Sequence, residues 1–392
     1  QRCVLLDGGK VAFHTRAVHA ITCSVARLCG GLQVWHVPTH LPGYHAPTCF
    51  RPKCAPSTTH TSPLRGAIVW TCRYGTYKIV QGMPGGEKLT GFTRILHRTV
   101  PDECMDEIPT FHAKPLHPEC DGWCDFPVAD RPNAVAQWIS HVQANPSELK
   151  GAWVAILECD YVWMRPLPVP GPASDPSVAG YQFRFGYINP AHPNCAHIIQ
   201  RLMGSGSPQD VPGSGPAPAV LRFSDLQVVT PLWEKLTADI EDDKEARDVL
   251  GWVREMYAWD IALAKAQVPM DTENQGSTRT ISQPPNDHSL GKASLFHYTW
   301  GAVYNDSTHT VWSWDKRHYT DQKYSLRPEK LPLPPEPFED RKWHLQDGFP
   351  VDVTMHGTLR DMLSQMNKAI ETLPDLTEKF EALQAARAQM RR

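Results

Sequence analysis

Apolar positions fall in two textures along the chain: short unbroken aliphatic runs, and longer stretches in which they recur at three and four. The most abrupt run is Trp153–Leu157, which stops at Glu158 and Asp160. A handful of consecutive apolar residues suits a strand buried on both faces, since a helix needs ten or more residues. Residues 66–72 (GAIVWTC) and 92–97 (FTRILH) read as two earlier strands of the same sheet. Residues 73–81 read as a helix closed by Gly82 and Pro84, and 133–142 as a helix begun after Pro132. Strand, helix, strand, helix, strand predicts an α/β fold on a parallel sheet.

Past the acids, 166–176 is a proline-rich loop and 181–188 alternates like a strand. Residues 204–218 are rich in Gly, Ser and Pro and read as a loop: a lid, a wall beside the site, or a plain surface excursion. Residues 220–229 predict a further strand or two. Residues 232–268 predict one or two helices with Ile240, Val249, Leu250, Val253, Met256, Tyr257 and Ile261 on an apolar face. Near the end Leu359, Met362, Leu363, Met366, Ile370 and Leu373 recur at three and four, an amphipathic helix that stops before Pro374 and docks on the body of the protein. Residues 1–62 hold no sustained period and read as a lead-in and linker. The expected organisation is therefore 1–62 lead-in, 63–345 main α/β domain and 346–392 helical segment.

Composition narrows the partners. A net charge of -3 with no long basic stripe argues against nucleic acid. No stretch supplies the roughly 18 apolar residues of a membrane span, so the chain as given reads as soluble, and an upstream anchor is expected to be missing from it. Eleven cysteines, all between Cys3 and Cys195, point to an oxidising compartment, and the odd total leaves at least one without an intrachain partner. Cys120 and Cys124 can pair across a short loop. Free thiols and a zinc site are the alternatives, the latter disfavoured because no second such pair follows.

In an extended segment Glu158 and Asp160 point to one side, just beyond a strand end, where open α/β sheets bind ligands. Hard oxygens there suit Mg²⁺ or Mn²⁺ held with a nucleotide's phosphates, which suggests sugar-nucleotide chemistry; a strand simply meeting solvent is the plainer reading. Glu255 and Asp260 stand among aromatics on the predicted helix, where most acids are merely solvated. His297 lies in an aromatic strand, where a histidine is more often a core residue than a ligand. Lys316 beside Arg317 would suit a diphosphate, against the default of a surface ion pair.

Several longer blocks occur in a fixed order: GFTRILH at 91–97, MDEIPTF at 105–111, the acid-x-Asp at 158–160 with MRPLP after it, LGWVREMYAWD at 250–260, QPP at 283–285, HYTWG at 297–301 and WDKRHY at 314–319. Together they resemble the hydroxyproline O-arabinosyltransferases of plants and green algae, over residues from about 65 to 319. One departure is Cys159, where the family-like pattern has proline. The resemblance implies a GT-A-type glycosyltransferase with a Rossmann-like, mostly parallel central sheet flanked by helices and a C-terminal helical extension. It implies transfer of L-arabinofuranose from a UDP-sugar to hydroxyproline in extensin-like or signalling glycoproteins, with Mn²⁺ or Mg²⁺, in the Golgi lumen or the endoplasmic reticulum, on a type II membrane protein. Under it, Asp160, Glu158 and His297 hold the metal, with Glu158 near the ribose or the metal, and Lys316 and Arg317 hold diphosphate oxygens. Thr71, Arg73 and Tyr74 lie beside the uridine, and Asp260 or Glu255 orients or deprotonates the acceptor hydroxyl. The alternatives are a peptidyl serine O-galactosyltransferase and a non-catalytic carbohydrate- or peptide-binding protein on the same fold.

Overall fold

The computed structural model describes residues 18–24, 67–299, 301–319, 321–339 and 341–390. The described chain runs β1 (Val18–Ser24), α1 (Ala67–Gln81), β2 (Leu89–His97), β3 (Thr110–Ala113), α2 (Arg131–Ala144), β4 (Trp153–Leu157) and β5 (Tyr161–Trp163). Next come β6 (Gly180–Phe183), α3 (Ala196–Met203), β7 (Ala219–Arg222), α4 (Phe223–Asp242), α5 (Lys244–Leu250), α6 (Arg254–Ala266) and β8 (Met270–Glu273). The last part comprises β9 (Ile281–Ser282), β10 (Leu295–His297), β11 (Gly301–Asn305), β12 (Thr310–Asp315), α7 (Gln322–Leu326), β13 (His344–Leu345), α8 (Val353–Ile370) and α9 (Thr377–Met390).

The largest sheet is mixed, seven strands in the order β3-β2-β1-β4-β7-β6-β8. β3, β2, β1 and β4 pair in parallel. β7 is antiparallel to both its neighbours, β4 and β6, and β8 runs parallel with β6. β4, aliphatic and wholly buried, lies between β1 and β7 as its sequence predicts. Strand order grows outward from β1 in one direction through β2 and β3, and in the other through β4. The gap at the carboxyl ends of β1 and β4 is therefore the switch point at which such sheets bind ligands.

Three expectations are corrected here. The strand at the centre of the switch point is Val18–Ser24, within the stretch read as a lead-in; the rest of 1–62 lies outside the described residues. Residues 66–72 were expected to be that strand, but Ala67–Gln81 is one helix, with Arg73, Thr76, Tyr77 and Val80 buried at helical spacing. A short apolar run has no period of its own, and here it belongs to the first turns of a helix. Finally, the strand pattern over 220–229 stops at Arg222, after which Leu226, Val229, Trp233, Leu236 and Ile240 line the buried face of α4.

Beside the main sheet, β5-β10-β9 and β12-β11-β13 form two small sheets. Their inner faces share a second core with α8, through Val162, Phe296, Tyr304, Met355, Leu359, Met362 and Leu363. Asp352 caps α8 by accepting the Met355 amide proton at 2.8 Å, and Gln365 donates to the Trp163 carbonyl at 3.0 Å, so the helix docks as its period predicts. Residues 211 and 213–218 of the expected loop are buried, which makes this half a fixed wall against α6 rather than a lid. Cys120 and Cys124 form a disulfide, and Cys104, Cys159 and Cys195 are free. Among the described residues no helix is long and apolar enough to cross a membrane.

Candidate active site

The chain leaves β4 at Leu157, makes a turn over Glu158–Asp160 and re-enters extended structure at β5. Because the turn breaks the two-residue alternation, the two acids take different partners instead of facing one spot together. Glu158 accepts a hydrogen bond from Arg131 Nη2 at 2.6 Å. Asp160 Oδ2 accepts one from Lys316 Nζ at 2.7 Å and lies 3.5 Å from His297 Nε2.

Strand pairing explains this second cluster. β5 and β10 are antiparallel with His297 opposite Tyr161, which sets His297 beside the residue preceding β5. β11 and β12 place Gly301 opposite Asp315, and Lys316 follows at once. A Cβ on Gly301 would sit 2.0 Å from the Trp314 carbonyl oxygen, so the close approach that delivers Lys316 requires glycine in HYTWG. Gln283 Oε1 lies 3.1 Å from His297 Nδ1 and orients the ring, which gives the QPP block a role. Burial opposes ionisation of Asp160, but His297 and Lys316 outweigh it and hold the carboxyl well below the usual range.

The other predicted residues divide. Arg73, on α1, is buried beneath the strand end with Nη1 3.4 Å from the Leu157 carbonyl; burial pulls its guanidinium down to about 10 against the pull of the acids, Glu158 and Asp160 among them. Tyr74 turns away and packs on Phe92 and Tyr77. Thr71 is on α1 rather than at a strand end, and its side chain lies outside the described residues. Arg317 is engaged with Asp315, with Nε 2.9 Å from each carboxylate oxygen.

On α6 the two acids are not equivalent. Glu255 Oε2 lies 3.4 Å from Arg131 Nη1, so one guanidinium bridges Glu158 and Glu255. Burial pushes Glu255 up to about 7, Arg131 opposes this, and the Glu158 charge adds to it. Its Oε1 is buried with no hydrogen-bond partner among the described residues. Asp260 is fully buried further along, where Oδ2 accepts from the Ser214 amide at 2.7 Å and burial holds the carboxyl well above its usual value. Glu255 is thus the acid coupled to the strand end. Arg131 was missed in the sequence because nothing marks it there but Pro132 at the start of α2.

Among the described residues no group of three or more His, Cys, Asp or Glu side chains could hold a metal ion. Asp160 and His297 still offer a hard oxygen and an imidazole on one spot, which suits Mg²⁺ or Mn²⁺ completing its shell with phosphate and water. Glu158, held by Arg131, does not join them.

The fold and the site together define a mixed α/β protein with a cluster of charged side chains at the switch point of the largest sheet among its described residues. The hydroxyproline O-arabinosyltransferase family N-terminal domain matches residues 69–272. The chain is 34% identical over 276 residues to hydroxyproline O-arabinosyltransferase PLENTY of Lotus japonicus, covering 68% of this chain and 71% of that protein. It is 33% identical over 276 residues to NOD3 of Pisum sativum, covering 68% and 76%. The peptidyl serine alpha-galactosyltransferase of Arabidopsis thaliana is more distant, 27% identical over 173 residues, 41% of this chain and 20% of that one. The chain belongs to the hydroxyproline O-arabinosyltransferase family.

Proposed function

We propose that the protein is a glycosyltransferase that moves L-arabinofuranose from UDP-arabinofuranose to the hydroxyl of hydroxyproline in a protein or peptide acceptor, on a GT-A-type fold. The observation that carries this reading is the convergence of Asp160, His297 and Lys316 at the switch point in a chain of this family. Breaking the bond between sugar and phosphate leaves charge on the diphosphate, and Lys316 is positioned to neutralise part of it. Asp160 and His297 would hold Mn²⁺ or Mg²⁺, which when bound supplies further positive charge to the leaving group. Arg131 fixes Glu158 and Glu255 relative to each other. Glu255, with a raised pKa and one buried oxygen that has no hydrogen-bond partner among the described residues, is suited to accept a hydrogen bond or proton from an acceptor hydroxyl that reaches it. The oxidising compartment expected from the cysteine count supports the Golgi lumen as its location, and the Cys120–Cys124 disulfide is consistent with it.

The test is mass spectrometry of an oligohydroxyproline peptide incubated with UDP-arabinofuranose and Mn²⁺. The expected product is a peptide heavier by one or more pentoses, with no transfer to the same peptide carrying proline, which lacks the nucleophile. Equal or better transfer to a serine peptide from UDP-galactose would replace this reading with that of a serine galactosyltransferase.

A further inference from the structure

Of the tryptophans in the blocks around the site, Trp259, Trp312 and Trp314 are buried, whereas Trp252 is 72% exposed. It projects from the turn Gly251–Val253 between α5 and α6, three residues before Glu255. The turn is rigid. Gly251 has φ +61, a conformation open to glycine, and Arg254 donates to the Gly251 carbonyl at 3.0 Å while stacking 3.4 Å over Phe126.

Trp252 is also the outer end of a ladder of rings. Phe183 at the end of β6 and Phe185 are buried and 4.9 Å apart; Phe185 and Tyr187 are 5.3 Å apart, and Tyr187 and Trp252 are 5.9 Å apart and tilted by 35°. Tyr187 is 55% exposed over the whole residue. The loop that carries Tyr187 is tied to α6, where the Asn189 amide donates to the Tyr257 hydroxyl at 3.2 Å. The two exposed rings therefore lie at the start of α6, the helix that carries Glu255, and are braced from the core.

We propose that Tyr187 and Trp252 form the platform on which an extended, proline-rich acceptor peptide stacks its pyrrolidine rings, delivering one hydroxyl toward Glu158 and Glu255. This rests on the reading that the acceptor contains hydroxyproline. A polyproline II chain exposes a fresh ring about every 3 Å and has no internal hydrogen bonds to break, and grooves lined by aromatic residues are its usual receptors. One turn of such a chain spans three residues, about 9 Å, so two rings 5.9 Å apart fall within a single turn of it. Two solvent-exposed rings packed on each other and on the ladder behind them keep little entropy to lose on binding.

The experiment compares Trp252→Ala, Tyr187→Ala and Trp252→Phe with the wild type, using an oligohydroxyproline peptide and single hydroxyproline amide as acceptors. Each alanine variant should raise the KM for the peptide about tenfold and leave the KM for UDP-arabinofuranose within twofold, and Trp252→Phe should recover most of the loss. The preference for the peptide over the amide should shrink by the same factor. An unchanged peptide KM in both alanine variants overturns the platform, as does a rise in donor KM alone, which would assign the rings to the nucleotide. Titration of intrinsic tryptophan fluorescence with the peptide separates the two readings. If the wild type binds the peptide through Trp252 without transferring arabinose, the platform stands and the proposed reaction falls.

Discussion

Replacing Glu255 by glutamine should make the protein more stable at neutral pH and less active, and the size of the first effect follows from its burial. Glu255 is almost wholly enclosed, and its carboxyl is pushed from 4.5 to about 7. In that interval the folded state keeps a proton that the unfolded chain has released, so stability present at low pH is lost as pH rises through about 7. At roughly 1.4 kcal/mol per unit, the loss is about 1 kcal/mol by pH 5 and about 3 kcal/mol by pH 8. Glutamine is nearly isosteric and never ionises, and Arg131 retains Glu158 at 2.6 Å, so Glu255→Gln escapes the loss without stranding the guanidinium. Urea denaturation of both proteins at pH 5 and pH 8 should show the difference in unfolding free energy growing by about 2 kcal/mol in favour of the variant. Arabinose transfer at pH 7 should fall by about a hundredfold if Glu255 orients or deprotonates the acceptor hydroxyl. A stability difference that stays constant between the two pH values would refute the buried, half-titrated carboxyl. Full activity in the variant would remove Glu255 from the chemistry and return Asp260 to consideration.

Asp160→Asn should keep the fold but cut turnover by about a hundredfold, roughly 3 kcal/mol of barrier, and wild-type activity should vanish in excess chelator; full activity under either condition counts against Asp160 as a metal ligand. Gly301→Ala places a methyl group within 2.0 Å of the Trp314 carbonyl oxygen and should destabilise the β11–β12 pair by more than about 3 kcal/mol, read as a lowered melting temperature.

Patterns that act over a few residues were legible in the sequence. The aliphatic run ending at Glu158, the helix after Pro132 and the three-and-four period of α8 each depend on neighbours along the chain, and each is found where that local pattern puts it. The ordered blocks also carried the family, because spacing between short motifs survives without knowledge of what packs on what. Which residue meets which was decided by tertiary structure. Whether a short apolar run becomes strand or helix depends on the surface it packs against, so Val18–Ser24 rather than residues 66–72 fills the centre of the sheet. Asp160 meets His297 and Lys316 through the pairing of β5 with β10 and of β11 with β12, while Glu158 is drawn to Arg131. Glu255 and Asp260 share one helix and one residue class, and their tertiary partners distinguish them: the Arg131 guanidinium reaches Glu255, the Ser214 amide Asp260. The same holds for the tryptophans. Burial of Trp259 and Trp314 and exposure of Trp252 are set by which face of each element another element covers, a contact between segments far apart in the chain that no local period encodes.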